Sequence, residues 1–411
     1  MSAQVENPEP TTPKSRRRPR RRSPSPTPNN GGAKHEKRDS TRFIRKEDLE
    51  KIAPDKEYKD LHVAPHEFRP SAVLTTGQIF HWKVVVESSS TSDADGGSAW
   101  GSHDATEWVG IIRVVGSQSI VVALKEQTDT VLYQTLYGPS DLDYPQILRT
   151  YFRLDIKLEA LYSQWSKEDP VRLAQIARCI PGVRLIDQDP WECLVSFICS
   201  SNNNIPRITK MLTSIRQCYG SPLISIGNET LYSFPSLDEL RKQANDADLR
   251  GRCGMGYRAR YILETMDILH SLGGEKYLHD LRSLSDPGEV QEKLIQFCGV
   301  GRKVADCVGL FSLRQDDAIP VDVHVWNIAR RDYDKEETLK DVKSLTPTIY
   351  QQVGDLFRSR FSEKAGWAHS LLFIAELPSF RPALPQEIVD EMEKFAGIEQ
   401  ARKKAKRSKE K

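Results

Sequence analysis

The sequence predicts an α+β fold, in which a small antiparallel β-sheet packs on a larger helical domain and both tails are basic and disordered. Short β-branched runs between about 58 and 145 indicate the sheet. Helix-period apolar residues follow, with Gly and Pro between them. Residues 1–42 are rich in Pro, Ser and Arg. The expected organisation is an N-terminal tail (1–55), a sheet domain (56–150), a helical domain (151–395) and a C-terminal tail (396–411).

Charge is unevenly distributed along the chain. Residues 1–42 contain eleven Lys and Arg against four Asp and Glu, and residues 401–411 contain seven against one. Because the whole chain carries +2, about −11 is left for residues 43–400. A body with this charge cannot bind nucleic acid through a broad positive field. It would need local basic groups and backbone amides instead.

The tails and the cysteines bear on localisation. Basic clusters at 14–22 and 402–407 are typical of nuclear import or of an arm that binds nucleic acid, although a solubilising tail explains either one equally well. Together they favour the nucleus, with a mitochondrial pool left open. The seven cysteines form no CxxC pair, which favours a reducing compartment. No apolar run approaches the ~20 residues that span a membrane, and no hydrophobic secretion signal begins the chain.

The sheet and the helices can be predicted segment by segment. Residues 82–86, 108–115 and 119–124 are predicted strands, and the small polar residues of 88–106 predict a mobile loop insertion. Ten helices are predicted after the sheet, at 155–180, 190–200, 205–219, 236–250, 257–272, 287–296, 302–313, 323–332, 345–361 and 366–377.

The segment 297–307 is the most informative part of the chain. Gly299 and Gly301 predict a tight turn that leads into a helix. The first amides of a helix are unpaired, and with the helix dipole they can bind a phosphate even on an acidic protein. The carbonyl side of the turn, near Phe297 and Val300, could hold a monovalent or divalent cation. A lone Gly-x-Gly is more often only a turn between two helices.

Lys303 and Asp322 give this turn a chemical interpretation. Lysine is unusual in the first turn of a helix, where the dipole and partial burial disfavour the protonated amine and would help it act as a nucleophile. Asp322, nineteen positions later, is a predicted N-cap and a fixed anion that could stabilise a positively charged sugar. A solvated surface lysine and a purely structural cap remain open from the pattern alone.

Together these residues resemble the signature of the helix-hairpin-helix DNA glycosylases, and residues 60–378 resemble the 8-oxoguanine DNA glycosylase/lyases. The resemblance implies that Lys303 is a Schiff-base nucleophile and that Asp322 stabilises the sugar. The implied enzyme is bifunctional: it excises 8-oxoguanine and related oxidised purines opposite cytosine, then nicks the strand by β-elimination. Its implied partner is double-stranded DNA, it is expected to be monomeric, and it requires no cofactor.

Two further segments are implied to contact the base opposite the lesion. In 197–208 a cluster of amides precedes a helix, and amides with an arginine can fill the space that a flipped base leaves. By resemblance, Asn202 and Arg207 meet the orphaned cytosine. An aromatic residue beside arginine suits a wedge in the base stack, and by resemblance Tyr257 is that wedge and Arg258 also contacts the cytosine. The structural alternatives are a capped loop for the first segment and an ordinary helix start for the second.

The lesion pocket is implied by scattered matches. Gly77 corresponds to the glycine whose carbonyl senses the extra N7 proton of 8-oxoguanine, where normal guanine offers an acceptor. Cys307 and Phe373 correspond to the pair that sandwiches the flipped base. His369 lies where the base edge is bound, and His324 corresponds to a histidine that contacts phosphate.

Several positions depart from the family. His369 replaces a glutamine, and a neutral imidazole offers one donor and one acceptor in a different geometry, so lesion preference and pH dependence are open. Phe311 replaces a methionine, Cys298 a hairpin proline and Pro206 an alanine. Glu376 takes the place of an acidic residue near His324.

Three other functional classes share features with this sequence. Relatives of endonuclease III and adenine glycosylases carry four clustered cysteines for an iron–sulfur cluster. No cysteine follows Cys307, so no cluster is expected. A non-catalytic hairpin module that only binds DNA is the main alternative, and the pairing of Lys303 with Asp322 argues against it. An RNA-binding protein with basic tails is a weaker third, since no RNA-recognition motif is found.

Overall fold

The computed structural model describes residues 43–53, 57–87, 106–114, 118–336, 338–339, 342 and 344–409. The predicted tail up to residue 42, its basic cluster, and residues 88–105 of the predicted insertion lie outside them. No helix in the described ranges has the length and apolar content needed to cross a membrane.

Within the described residues, six strands form one sheet in the order β1-β3-β4-β5-β6-β2. The central strand β5 packs on both faces: Ile120, Val122 and Leu124 belong to one core and Val121 and Ala123 to another. This two-sided burial explains its continuous β-branched run. The strands are β1 (Phe43–Arg45), β2 (Lys59–Asp60), β3 (Lys83–Val86), β4 (Glu107–Arg113), β5 (Ser119–Glu126) and β6 (Val131–Tyr137).

The first strand corrects two predictions. β1 pairs in parallel with β3, so the sheet is mixed, whereas a purely antiparallel sheet was predicted. The folded chain also begins earlier than the predicted tail 1–55 allows, because β1 and α1 (Lys46–Ile52) bury Ile44 and Leu49 against the sheet. Their few apolar residues lie among charged ones and are buried by contacts distant in sequence, with the sheet and with Ile226 and Leu231.

Helices make up most of the remaining chain. The predicted bounds of α6 and α7 are confirmed because each helix has a local start signal: Asp189 and Asn204 cap the first turn, and a proline follows each cap. The helices after α1 are α2 (Pro70–Val73), α3 (Tyr144–Tyr151), α4 (Leu158–Glu168), α5 (Leu173–Cys179), α6 (Pro190–Ser200), α7 (Ile205–Tyr219), α8 (Leu237–Gln243), α9 (Asp246–Gly251), α10 (Arg258–Ser271), α11 (Glu275–Asp280), α12 (Pro287–Ile295), α13 (Arg302–Ser312), α14 (Val323–Ile328), α15 (Pro347–Arg360), α16 (Ala365–Ala375) and α17 (Gln386–Lys409).

Some elements differ from the predictions. The helix predicted at 155–180 is two helices, because Asp169 accepts the backbone N–H groups of Arg172 and Leu173 and so begins a new helix. A hairpin of β7 (Pro222–Ile226) and β8 (Glu229–Tyr232) was not predicted. The predicted C-terminal tail 396–411 is the end of α17 through Lys409.

The helix α13 is shared between the two helical cores. Val304 and Val308 pack in one core with α6, α7 and α10, whereas Leu310 packs in the other with α5, α15 and α16. Phe311 contacts both cores. The helix that carries Lys303 is therefore held by both halves of the helical domain, with its first turn in the first core and its later turns in contact with the second.

Candidate active site

The predicted hairpin is present between α12 and α13. The backbone N–H of Val300 donates to the carbonyl of Phe297 at 3.2 Å, which closes the turn. Gly299 has φ +77°, and a Cβ there would lie 2.5 Å from the ring of Tyr261. Gly301 has φ −93°, and a Cβ there would meet nothing within 4 Å. The fold thus requires Gly299, whereas the bare backbone at Gly301 leaves room for a ligand.

Lys303 and Asp322 are brought together. The Nζ of Lys303 lies 3.4 Å from Oδ2 of Asp322. Oδ1 of the same carboxylate accepts the backbone N–H groups of His324 and Val325 at 2.9 and 3.0 Å. The predicted N-cap of α14 is confirmed, and the same carboxylate also faces the amine.

The pKa of Lys303 corrects the prediction of a weakly basic amine. Burial acts to lower this pKa, but interactions with Cys307 and Asp322 outweigh burial, so the pKa is raised above its ordinary value. Burial raises the pKa of the Cys307 thiol to about 12, which leaves the thiol uncharged at neutral pH. Asp322 is therefore the charge that holds the proton on Lys303. In the free protein the amine is a paired cation, and a protonated amine is not a nucleophile.

The residues implied for the lesion pocket lie around this pair. Cys307 is buried one turn after Lys303 on α13. The ring of Phe373 lies 6.5 Å from that of His369 and 6.0 Å from that of His324, measured between centroids. Asp322 interacts electrostatically with His369. The structure thus groups the implied pocket residues of α13, α14 and α16.

His369 is buried with one ring nitrogen unused. Its Nδ1 lies 3.4 Å from the carbonyl of Gly366, and its Nε2 is buried without a hydrogen-bond partner. Burial lowers the pKa of His369 to about 4, so the ring is neutral at physiological pH. If Nδ1 carries the proton and faces the Gly366 carbonyl, Nε2 is an acceptor. Such an acceptor suits the N–H groups of a guanine-type base edge.

The residues implied for the opposite base form a second group. Asn202 is exposed, with φ +49°, and Arg207 is exposed at the start of α7. Tyr257 is 46% exposed and its hydroxyl donates to the carbonyl of Ser201 at 3.1 Å. A wedge needs such an exposed aromatic ring.

Arg258 is buried in the structure, which differs from its implied place at the DNA surface. It was implied to contact the cytosine, but only 2% of it is exposed. Its guanidinium donates to the carbonyl of Ser201 and, at 3.3 Å, to that of Asn202. In the free protein Arg258 therefore holds the loop that presents Asn202, and its Nε remains buried without a partner.

Gly77 lies apart from Lys303 and Asp322 in its described contacts. It has φ +83°, and a Cβ there would lie 3.1 Å from the end of Ile205. Ile205 opens α7, directly after the loop that carries Asn202. The structure therefore links Gly77 to the opposite-base group, and its closeness to the implied base sandwich stays a prediction.

The remaining predicted positions have clear partners. The hairpin carbonyl of Phe297 accepts from Val300, and that of Cys298 accepts from Thr265 at 3.1 Å. The cation site there stays a prediction. Glu376 forms an ion pair with Arg331 at 2.7 Å. Among the described residues, one group could hold a metal by side chains, namely His66, Glu67 and Glu159.

That group does not make a persuasive metal site. Both oxygens of Glu67 already accept the backbone N–H groups of Leu158 and Glu159 at the start of α4. Glu67 also pairs with Arg184 at 3.0 Å. The cluster is therefore explained as a helix cap.

Comparison with known proteins gives this geometry a family. Residues 60–194 match the 8-oxoguanine DNA glycosylase N-terminal domain, and residues 195–349 match the HhH-GPD superfamily base excision DNA repair proteins. The N-glycosylase/DNA lyase OGG1 of Arabidopsis thaliana is 38% identical over 316 residues, which are 75% of this chain and 77% of the relative. The chain belongs to the 8-oxoguanine DNA glycosylase/lyase family.

Two further relatives agree with this family membership. The N-glycosylase/DNA lyase of Saccharomyces cerevisiae is 36% identical over 285 residues, covering 63% of this chain and 74% of the relative. The 8-oxoguanine glycosylase/lyase of Clostridium acetobutylicum, solved in complex with DNA containing cytosine opposite 8-oxoguanine, has a TM-score of 0.60 and 26% identity. That comparison covers 78% of this chain and 96% of the solved one. The predicted α+β fold is confirmed.

The structure also shows where the two matched domains meet and what surrounds two of the positions that depart from the family. The two matched families meet inside α6, whereas the predicted boundary at residue 150 follows the end of the sheet. In this 8-oxoguanine glycosylase/lyase Phe311 stacks on Phe197 with 5.5 Å between centroids, so the ring fills core space beside the pocket. Burial, together with a hydrogen bond to Glu264, raises the pKa of Cys298 to about 11.

One pair of residues near the site was not predicted. Asp306 is buried on α13, one turn after Lys303, and accepts from the hydroxyl of Tyr350 at 2.5 Å. The two residues are 44 positions apart. The signal in the sequence was an aspartate placed directly before Cys307 within the apolar run of α13.

Proposed function

We propose that this chain excises 8-oxoguanine and related oxidised purines from duplex DNA opposite cytosine, and then cleaves the strand as a lyase. The observation that carries the proposal is the 3.4 Å approach of the Lys303 amine to the Asp322 carboxylate, beside the buried Cys307 and His369. Family membership through relatives named N-glycosylase/DNA lyase supports it. A module that only binds DNA needs no such pair.

The first step is the replacement of the base by the amine. Lys303 begins as an ammonium group, and Asp322 Oδ2 is the nearest acceptor for its proton. The neutral amine then attacks C1′ as the bond from C1′ to the base breaks. The base leaves with the electron pair and takes the proton from Asp322, which restores the carboxylate. Charge on the sugar in the transition state is positive, and the fixed carboxylate of Asp322 stabilises it.

The second step is strand cleavage. The nitrogen that is now bonded to C1′ expels O4′, which takes up the proton that the nitrogen releases. The sugar ring opens, and a Schiff base forms between Lys303 and C1′. This iminium withdraws electrons, so a proton can leave C2′ and the 3′-phosphate departs by β-elimination. Water then releases Lys303 from the imine. Every atom comes from the chain, the DNA or water, and we propose that no cofactor is required.

Recognition of the opposite base is assigned to the loop before α7. Asn202 and Arg207 are exposed there, and amides with an arginine can bond the edge of an unpaired cytosine. Tyr257 would occupy the gap in the stack, since its ring is exposed and its hydroxyl is held by Ser201. Arg258 would act chiefly through this loop.

We further propose that the protein acts as a monomer in the nucleus, with a mitochondrial pool as the alternative. The basic cluster at 14–22 is the sequence basis for nuclear import. Fluorescent fusions with and without residues 1–42 would test localisation, and light scattering at several concentrations would test the monomer.

The function is tested with duplexes that contain one 8-oxoguanine opposite each of the four bases. Borohydride should trap a covalent adduct on the cytosine duplex, and alkali-free gels should show a nick. Lys303→Gln should bind this duplex without trapping or nicking. EDTA should leave both activities unchanged. Binding by the wild type without excision or trapping would favour the non-catalytic module.

A further inference from the structure

A buried hydrogen-bond network lies next to the backbone that carries Lys303 and Asp322. Asp306 lies on the same helix as Lys303, and only 6% of it is exposed. Its Oδ1 accepts from Gln291 of α12 at 2.7 Å, and its Oδ2 accepts from the hydroxyl of Tyr350 of α15 at 2.5 Å. The Asp306 carboxylate thus connects the Lys303 helix to two neighbouring helices.

The hydroxyl of Tyr350 also contacts the segment that leads to Asp322. It accepts the backbone N–H of Val321 at 3.1 Å and lies 3.2 Å from the carbonyl of Ile319. Val321 is the residue immediately before Asp322. A single hydroxyl therefore joins the helix that carries the amine to the backbone that carries the carboxylate.

Protonation decides the direction of these hydrogen bonds. Burial raises the pKa of Asp306 to about 6, opposed by hydrogen bonds from Tyr350 and Gln291 and by the charges of Arg358 and Arg302. At pH 7.5 the carboxylate is ionised and can only accept. The Tyr350 proton must then point to Asp306, which leaves the oxygen lone pairs free to accept from Val321.

We propose that Tyr350 is a positioning residue for the reaction, and that its hydroxyl sets the separation of Lys303 from Asp322. The inference rests on the proposed function only in assigning chemistry to that pair. Tyr350 contacts neither reacting atom. It acts through Val321 and Asp306, which fix the two backbones from which the catalytic side chains project.

The alternative is that Tyr350 contributes only to stability, and the chain contains a matched control for that. The hydroxyl of Tyr162 also bonds two backbone groups: it donates to Ile180 at 3.2 Å and accepts from Val183 at 3.3 Å. Tyr162 packs against the same core, but its hydroxyl partners lie outside the site. Tyr162→Phe should therefore show the cost of losing a buried hydroxyl without changing the catalytic pair.

The experiment measures Schiff-base formation separately from base removal. Wild type, Tyr350→Phe and Tyr162→Phe would each be mixed with a duplex that carries one abasic site opposite cytosine, and borohydride would trap the adduct over time. Because misplaced reacting groups lose rate steeply, Tyr350→Phe should trap on the order of tenfold more slowly. Its affinity for a duplex with a tetrahydrofuran site should stay within about twofold, since the DNA contacts are intact. Trapping at the wild-type rate, or equal slowing in Tyr162→Phe, would overturn the proposal.

A double-mutant cycle tests the link to Asp306. If the two residues act through one hydrogen bond, Tyr350→Phe combined with Asp306→Ala should be no slower than the slower single variant. Fully multiplicative effects would contradict the link. If the wild type traps on abasic DNA but does not excise 8-oxoguanine, the proposed substrate fails while the role of Tyr350 is still measured.

Discussion

The two oxygens of Asp322 serve different partners: Oδ2 faces the Lys303 amine at 3.4 Å, and Oδ1 holds the first turn of α14. The helix cap fixes the carboxylate in place, and the fixed carboxylate then holds the amine. In the free protein this pairing keeps Lys303 protonated. If Lys303 is the nucleophile, as proposed, it must lose this proton after DNA binds and before the amine attacks.

The two functions of Asp322 can be separated by Asp322→Asn. Asparagine is as good an N-cap as aspartate, so the free energy of unfolding should change by less than about 1 kcal/mol. The loss of the negative charge should slow excision on the order of a hundredfold. Urea unfolding and single-turnover excision would measure the two effects. If the free energy of unfolding fell by as much as the activation free energy of excision rose, the loss of rate would be explained by the loss of the cap alone.

The two hairpin glycines should respond differently to alanine. Gly299→Ala should lower the free energy of unfolding by roughly 2–4 kcal/mol, because it forces positive φ on alanine and a clash with Tyr261. Gly301→Ala should keep its stability, since its new Cβ meets open space, but should weaken DNA binding by obstructing close approach of a phosphate. Thermal unfolding and fluorescence anisotropy would check both. Normal binding by Gly301→Ala would remove this glycine from the phosphate site.

His369 should make stability depend on pH. The folded pKa of about 4 lies below the ordinary value of 6.5, so the unfolded chain binds the proton more readily. Its contribution is fully present above pH 6.5 and is lost as the pH falls toward 4. His369→Gln should lack this term, which is on the order of 3 kcal/mol at its full extent. Urea unfolding of both proteins at pH 7.5 and 5 would show it. Parallel losses in the two proteins would contradict the burial of a neutral imidazole.

Arg258 and Arg207 offer a matched pair of arginines on the opposite-base side. Arg258→Ala should lower both stability and the preference for cytosine, because the buried guanidinium holds the carbonyls of Ser201 and Asn202. Arg207→Ala should lower only the preference for cytosine, because Arg207 is exposed. Excision opposite each base and thermal unfolding would compare them. An unchanged preference in both variants would remove this loop from base recognition.

The parts that could be predicted from sequence are those with a local cause. The starts of α6 and α7, the turn at Gly299 and the cap at Asp322 each depend on residues a few positions apart. The hairpin of β7 and β8 also had a local signal, since Gly227 with φ +60° lies at its turn, and it was overlooked.

Other features depend on contacts distant in sequence. The strand Phe43–Arg45 exists because β3 is available to pair with it, and nothing within its own three residues requires a strand. The helix α17 is joined to the rest of the fold at Glu399, which accepts from Arg330 at 2.9 Å. The pKa of Lys303 and the burial of Arg258 are likewise set by partners elsewhere in the chain. Periodicity and spacing carry no information about such partners.

The contact between Gly299 and Tyr261 has a consequence for how the enzyme would measure DNA. Tyr261 lies one turn along α10 from Tyr257, and the two rings are 5.5 Å apart in an edge-to-face arrangement. The proposed phosphate-binding turn and the proposed wedge therefore both pack against Tyr261 of α10. The distance between the turn at Gly299 and the ring of Tyr257 is thus fixed before any duplex is bound. A lesion would be registered at a constant number of nucleotides from the gripped phosphate, whatever the surrounding sequence.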